Sequence, residues 1–328
     1  MSLQPSRAVA RAGVVACALT ALALGGCGGD ENEGTPALSG GEPLGEGGTL
    51  VWAVADQQTG IDPLDAQTRG EQLVTRQIHE PLVAAMEGPF GDTRRVAGLA
   101  RSARPSGDAT IWTLRLRTGV RFQDGAPLNA GAVLANVERW QTTTAGAELL
   151  PDLVDSFAPK ADVVKFILSQ PDGAFDERLA VPQLGIVSPR ALRPVSGSGA
   201  VLGRTLETGT GPFELRERGP GRQLLARNTA WWGTAGDVDL GPALEQIEFR
   251  TEASPAVRFA LLDAGDVQLA DELLASQARQ ALADPLLHAV RGNRGTWLGL
   301  NRAVRGVESA REIPALSDAW LTTVTVAD

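Results

Sequence analysis

The sequence predicts a mixed α/β fold, of the α+β kind, and three observations carry that prediction. Segments such as 110–117 and 213–216 alternate apolar and polar residues, as half-buried strands do. Segments such as 127–140 carry apolar residues three and four apart, as amphipathic helices do. The two kinds of segment succeed one another without a strict strand–helix–strand repeat, so the sheet is mixed in direction. The 328 residues, 43% hydrophobic and 21% charged, suffice for a sizeable core in two domains or one large one. No internal repeat is visible. The net charge of −9 argues against a nucleic-acid partner.

The first 27 residues are not fold. Arg7 and Arg11 make a positive start, and 13–24 is an apolar run too short to span a membrane comfortably. It ends Leu24-Gly25-Gly26-Cys27, which resembles a bacterial lipobox. Small residues suit the peptidase cleft, and the Cys27 thiol is the acyl acceptor. The expectation is a lipoprotein signal peptide over 1–27 with lipidation at Cys27; the alternative is an ordinary signal peptide with a chance cysteine. Cleavage there discards Cys17 and acylates Cys27, leaving no disulfide and no thiol chemistry. It also removes two arginines and no acid, which takes the charge from −9 to −11. Residues 28–48, rich in Gly, Glu and Pro, read as a flexible tether.

The folded part is expected over 49–328. Residues 49–54 form a near-continuous apolar run, the mark of a buried strand. A helix is expected over 71–82, with Leu73, Val74, Ile78 and Leu82 on one side. A strand over 110–117 precedes a turn-rich stretch, 118–125, and a helix over 127–140 with Asn129 as N-cap. Two strands flank 159–162, the second being 163–168, and a short helix covers 176–180. The stretch 209–233 organises the second half of the chain. Gly209-Thr210-Gly211-Pro212 is a tight turn, and 213–216 and 224–227 are strands joined by Gly219-Pro220-Gly221, hence a hairpin. A strand at 244–250, a helix at 254–264, a strand at 265–270, a helix at 271–282 and a strand at 295–301 complete the reading. Residues 315–326 are expected to offer a closing strand.

Enzyme signatures are absent: no Gly-x-Ser-x-Gly, no phosphate-binding loop, no His-Glu-x-x-His and no Cys pair. No catalytic residue, metal or cofactor is expected. Of the two histidines, His79 reads as a packing or helix-end residue and His288 as a partly exposed strand residue.

Six blocks in register resemble a known family. Thr113-Leu114-Arg115-Leu116-Arg117-Thr118-Gly119-Val120-Arg121-Phe122 with Asp124-Gly125-Ala126-Pro127-Leu128 is similar to "F-x-L-R-x-G-V-K-F-H-D-G-T-P-L". Asp62-Pro63-Leu64 and Ile78-His79-Glu80-Pro81-Leu82 are similar to "D-P … I-Y-E-P-L". The helix end Glu138-Arg139 is similar to "S-x-E-R", and Gly211-Pro212-Phe213, Arg227-Asn228 and Trp231-Trp232-Gly233 to "G-P-F … R-N-x-x-Y-W-G". Residues 261–271 resemble a "G-E-I-D" segment, and Trp297-Leu298-Gly299-Leu300-Asn301 resembles "Y-L-x-F-N". These are marks of the peptide/nickel-type extracellular solute-binding proteins of ABC importers.

The resemblance implies a type II periplasmic-binding-protein-like fold: a first lobe over 49–66 and 179–328, with an inserted subdomain near 67–178. The second lobe is missing or vestigial, because little chain comes after Asn301. Either the chain is a naturally shortened paralogue or it has been truncated. The resemblance further implies a lipid-anchored extracytoplasmic monomer. It would bind a peptide or similar small solute and present it to a membrane permease. By the same resemblance the ligand-binding candidates are Val54, Ala55, Asp56 and Gln57 at the cleft and Trp297 and Asn301 at a strand end near the hinge, with core packing the favoured alternative for Trp297. Trp231 and Trp232 read as structural. A non-transport surface lipoprotein and a non-functional homologue are the alternatives.

Overall fold

The computed structural model describes residues 47–56, 60–87, 93–96, 98–192, 205–234, 242, 244–291, 297–301, 304–305 and 325–326. Strand β1 (Thr49–Val54) leads through a 3-10 turn (Pro63–Asp65) to helix α1 (Arg69–Ile78). Thr68 and Glu71 form a capping box that starts α1. The helix expected over 71–82 therefore begins earlier and ends at Ile78. Pro81 lacks the N–H that would continue the ladder, and it biases Glu80 toward extended backbone. A hairpin of β2 (Ala84–Glu87) and β3 (Thr93–Val96) comes next; residues 84–96 lack the alternation that would have announced it.

Beyond it lie β4 (Ala100–Pro105), β5 (Ile111–Leu116), α2 (Ala130–Thr142), α3 (Thr144–Leu149), β6 (Leu153–Lys160), β7 (Val163–Leu168) and α4 (Phe175–Arg178). Asn129 caps α2 as the sequence predicts, accepting from the Ala132 N–H at 3.0 Å. The chain continues with β8 (Phe213–Gly219), β9 (Arg222–Arg227), β10 (Gln246–Thr251), α5 (Pro255–Ala264), β11 (Leu269–Leu273), α6 (Ala275–Ala283), β12 (Leu287–Arg291) and β13 (Trp297–Asn301). The strand expected at 265–270 and the helix expected at 271–282 both lie a few residues later. Gly265, at φ 80°, closes α5 by donating to the Leu261 and Leu262 carbonyls, so 265–268 is a cap and turn. Of the expected closing segment 315–326, the described part is β15 (Thr325–Val326), which pairs with β14 (Val304–Arg305) and not with a larger sheet.

Seven strands form one mixed sheet in the order β12-β13-β11-β1-β10-β9-β8. Its centre, β11-β1-β10, is parallel, and antiparallel hairpins extend both sides. The apolar run of β1 is explained by this position. Leu50, Trp52 and Val54 pack with Leu73, Val74 and Ile78 of α1 on one face. Ala53 and Val51 pack with Leu262 of α5 and Ala278 and Ala281 of α6 on the other. Burial of each Leu- or Val-sized side chain stabilises by roughly 1.5–3 kcal/mol, and Trp52 adds a stacked contact with Phe249 at 5.7 Å.

A second sheet, β4-β5-β7-β6, is antiparallel throughout. Trp112, Leu114, Val164 and Phe166 turn inward to meet Val133, Val137 and Trp140 of α2. The opposite face is open to solvent, which is why β5 alternates so cleanly.

The segment Ile78–Glu80 meets the 209–233 stretch at the joint between these sheets. Trp232 Nε1 donates to Glu80 Oε2 at 2.7 Å, and the Arg117 guanidinium lies 4.5 Å from the Trp232 ring centroid. Gln123 Nε2 donates to the Phe213 carbonyl at 2.7 Å, and Asn228 Nδ2 to that of Gly211 at 2.9 Å. Gly211 has no room for a side chain: a Cβ there would stand 2.3 Å from the Gln77 carbonyl oxygen. Arg139 of α2 pairs with Asp62 before α1, and Asn136 exchanges two hydrogen bonds with the Val187 backbone. Most of the motif residues are joinery.

Candidate functional site

β1 and β10 are parallel neighbours whose continuations leave on opposite faces of the large sheet. β1 leads to α1 on one face, and β10 leads directly into α5 on the other. Where two such connections diverge, open α/β sheets place their ligands in the crevice outside the strands' carboxyl ends. Val54 ends β1 there, buried, with Ala55 and Asp56 half-buried after it. The Glu252 N–H donates to the Val54 carbonyl at 2.9 Å, and Thr251 Oγ1 donates to the Asp56 carbonyl at 3.3 Å. The β1 and β10 ends are thus locked in register. Gln57 lies outside the described residues.

The third parallel strand brings an irregular edge to the same rim. The β11–β13 register shifts between Ala270 and Leu273, and Glu272 sits at φ 50°, a left-handed conformation uncommon for a residue with a side chain. The Asp271 carboxylate holds that turn by accepting from the Glu272 N–H at 2.9 Å and from Arg69 Nε at 2.6 Å. Beneath it lies Arg258 of α5, 1% exposed. Its guanidinium donates to the carbonyls of Asp271 (2.8 Å), Glu252 (2.6 Å), Ala253 (3.0 Å) and Glu272 (3.0 Å). One side chain therefore ties the end of β10 to the end of β11.

Four carboxylates, Asp56, Glu252, Asp271 and Glu272, share this rim with Arg69 and Arg258. Burial first, then the Asp271 and Asp56 charges, raises the Glu272 carboxyl above the usual range, while Arg69 and Arg258 pull it back. Burial likewise pulls the Arg258 guanidinium down, against the Glu272, Asp271, Glu252 and Asp56 carboxylates. The arrangement offers strand-end backbone groups and an acidic edge to a solute. Among the described residues no group of three or more His, Cys, Asp and Glu is placed to hold a metal.

The structure brings some of the expected residues together and separates others. Trp297 pairs with Leu273, so its backbone lies at the carboxyl edge with 54–56. Asn301 is at the other end of β13, its N–H donating to the Gln268 carbonyl at 3.0 Å, and the Gln268 N–H in turn donates to the Val51 carbonyl at 2.9 Å. That is the amino side of the sheet, away from the crevice. His79 caps α1, fully buried, with Nε2 2.8 Å from the Leu206 carbonyl. His288 lies in β12, its backbone opposite Leu300. Cys27 lies outside the described residues. The sequence reading missed Thr251, Glu252, Asp271, Glu272 and Arg258. For Arg258 a signal existed, since it lies four residues before Leu262 on the buried face of α5.

The bacterial extracellular solute-binding proteins, family 5, match residues 95–320 of this chain. The glutathione-binding protein GsiB of Escherichia coli (strain K12) is 31% identical over 232 residues, covering 70% of this chain and 43% of that protein. The probable D,D-dipeptide-binding periplasmic protein DdpA of the same strain is 31% identical over 279 residues, covering 83% and 52%. The chain spans about half the length of the curated relatives it matches. Among solved structures, the periplasmic binding protein DppA from Helicobacter pylori in complex with peptide STSA aligns with a TM-score of 0.64 at 21% identity, covering 75% of this chain and 51% of that one. NikA from Brucella suis in complex with Fe(III)-EDTA aligns with a TM-score of 0.61 at 22% identity, covering 74% and 48%. The fold is that of the type II periplasmic binding proteins, and this chain aligns with about half of each neighbour.

Proposed function

The chain belongs to the bacterial extracellular solute-binding proteins of family 5, and from that premise we propose that it binds peptides or a similar small solute for an ABC importer. The observation that carries this reading is the divergence of the connections after the parallel strands β1 and β10, which leaves half-buried Ala55 and Asp56 outside their carboxyl ends. β1 is flanked on both sides within the sheet, so a ligand meets the backbone of the loop beyond Val54 and not a free strand edge. The carboxylates of the rim outnumber its two arginines, which favours a ligand with its ammonium end on this side. Relatives named for glutathione and D,D-dipeptides make short peptides the first class to test. The liganded form is presented to a membrane permease, and the protein works outside the cytoplasm as a monomer.

Three finer features belong to the same proposal. Residues 1–27 are a lipoprotein signal and Cys27 its acylated residue; 28–48 tether the domain to the membrane surface. Residues near 67–178 are an inserted subdomain built on the four-stranded sheet, with α1 lent to the larger one. Among the described residues no helix is long and apolar enough to cross a membrane. Cys27→Ser is expected to move the protein from the membrane fraction to the soluble one; unchanged fractionation contradicts the anchor.

Isothermal titration of the full chain with glutathione, a D,D-dipeptide and di- to pentapeptides tests the solute reading. Saturable one-to-one binding to at least one is expected. A chain that melts cooperatively and binds none of them contradicts it, in favour of a surface module using the scaffold without transport.

A further inference from the structure

The outer face of the four-stranded sheet concentrates cations in an otherwise acidic chain. Register sets Arg104 of β4 opposite Thr113 of β5, Thr113 opposite Lys165 of β7, and Lys165 opposite Phe157 of β6. One row thus crosses all four strands, and in the next row Ser102 stands opposite Arg115. The three cations line a cavity of about 350 Å³ together with Ser102, Ser106 and Thr113.

Among the described residues none of Arg104, Arg115 and Lys165 has a carboxylate within ion-pair distance; the neighbouring Arg101, outside the cavity, is the one that pairs with Asp162. Asp108 stands at one end, where its carboxylate accepts from the Ser106 hydroxyl at 2.5 Å and the Thr110 N–H at 3.2 Å. Asp155 lies one row away, opposite Ile167. The chain has two lysines, Lys160 and Lys165, and both fall in the β6–β7 hairpin of this sheet. The Lys165 ammonium lies 5.9 Å from the Phe157 ring centroid, which holds it over the sheet. In a protein of net charge −9, three unpaired cations around one concavity repel one another unless an anion joins them.

We propose that this groove binds the phosphoryl group of an anionic ligand. Two guanidinium forks match the spaced oxygens of a tetrahedral oxyanion, and an ammonium adds a point charge. The Ser102 and Thr113 hydroxyls supply neutral donors beside them. The volume, near the lower end of the range for small-ligand sites, suits a head group or a single phosphorylated solute. A phospholipid head group and a free phosphorylated solute present the same chemistry here.

Two arms of one experiment test this. In the first, pyrophosphate is titrated into the full chain and into the Arg104→Gln/Arg115→Gln/Lys165→Gln variant. In the second, both are floated with vesicles of phosphatidylglycerol in phosphatidylcholine and with phosphatidylcholine alone. The substitutions are expected to weaken binding at least tenfold in one arm, with the melting temperature unchanged. Wild-type binding there should fall as salt rises from about 50 to about 300 mM, as the screening length shortens. Loss confined to pyrophosphate assigns a free phosphorylated ligand; loss of phosphatidylglycerol-dependent flotation assigns a head group. The single variant Arg115→Gln, expected to show a partial loss, covers the case in which the triple variant misfolds. Equal binding by wild type and variants, or no binding in either arm, overturns the proposal. So does tighter binding of polyglutamate than of pyrophosphate.

Discussion

His79 illustrates at the residue scale what a motif position does once it is folded. In the family block the place belongs to an aromatic; here an imidazole fills it, fully buried at the end of α1. Burial, partly offset by the Leu206 carbonyl, lowers its pKa from the ordinary 6.5 to about 4. The neutral form is therefore native. Between those two values the unfolded chain binds a proton that the folded chain does not, so this contribution to stability is intact above pH 6.5 and is lost as the pH falls toward 4. The loss is on the order of 3 kcal/mol. Urea titrations of wild type and His79→Phe from pH 7 to pH 4 are expected to show a shallower acid slope in the variant. Parallel slopes contradict a buried neutral imidazole. A packing or helix-end role for His79 was legible from its place in the Ile-His-Glu-Pro block, although the helix was expected to run on to 82; its carbonyl partner, 127 residues away, had no local trace.

Elements were legible where one face meets a core and the other meets water. β5 alternates because α2 covers one side only, and β1 reads as continuous because α1 covers one face and α5 and α6 the other. Boundaries failed where caps and turns decide them, as at Thr68, which starts α1 early, and Gly265, which displaces β11 and α6 along the chain. The least legible element feature is the hold of α5 on two strand ends. Arg258→Met keeps the stem and removes the donors to four backbone carbonyls. At 1–3 kcal/mol for each buried group left unsatisfied, a loss of at least about 3 kcal/mol in urea unfolding is expected. Solute affinity should fall with it, because the β10 and β11 ends lose their common tie. A loss under about 1 kcal/mol would mean that the strand ends hold themselves.

For the whole molecule, fold and family lay open to sequence reasoning and the site did so only in part. The motif blocks are joints between two sheets, and joints constrain residue types: Glu80 must accept from Trp232, Gly211 must clear the Gln77 carbonyl, Arg139 must meet Asp62. The crevice is assembled from residues as far apart as Asp56 and Thr251, separated by 195 positions, with no local periodicity to betray it. The β1 end and Trp297 were expected at the ligand site through resemblance; the β10 and β11 ends were not. The central claim is that solute binds outside the carboxyl ends of β1 and β10. Hydrogen exchange of the full chain, with and without a saturating short peptide, tests it most directly. Slowed exchange at the amides of 54–56, 251–252 and 271–272, with the four-stranded sheet unchanged, is the predicted result. Binding accompanied by protection elsewhere, with those amides unaffected, would contradict it.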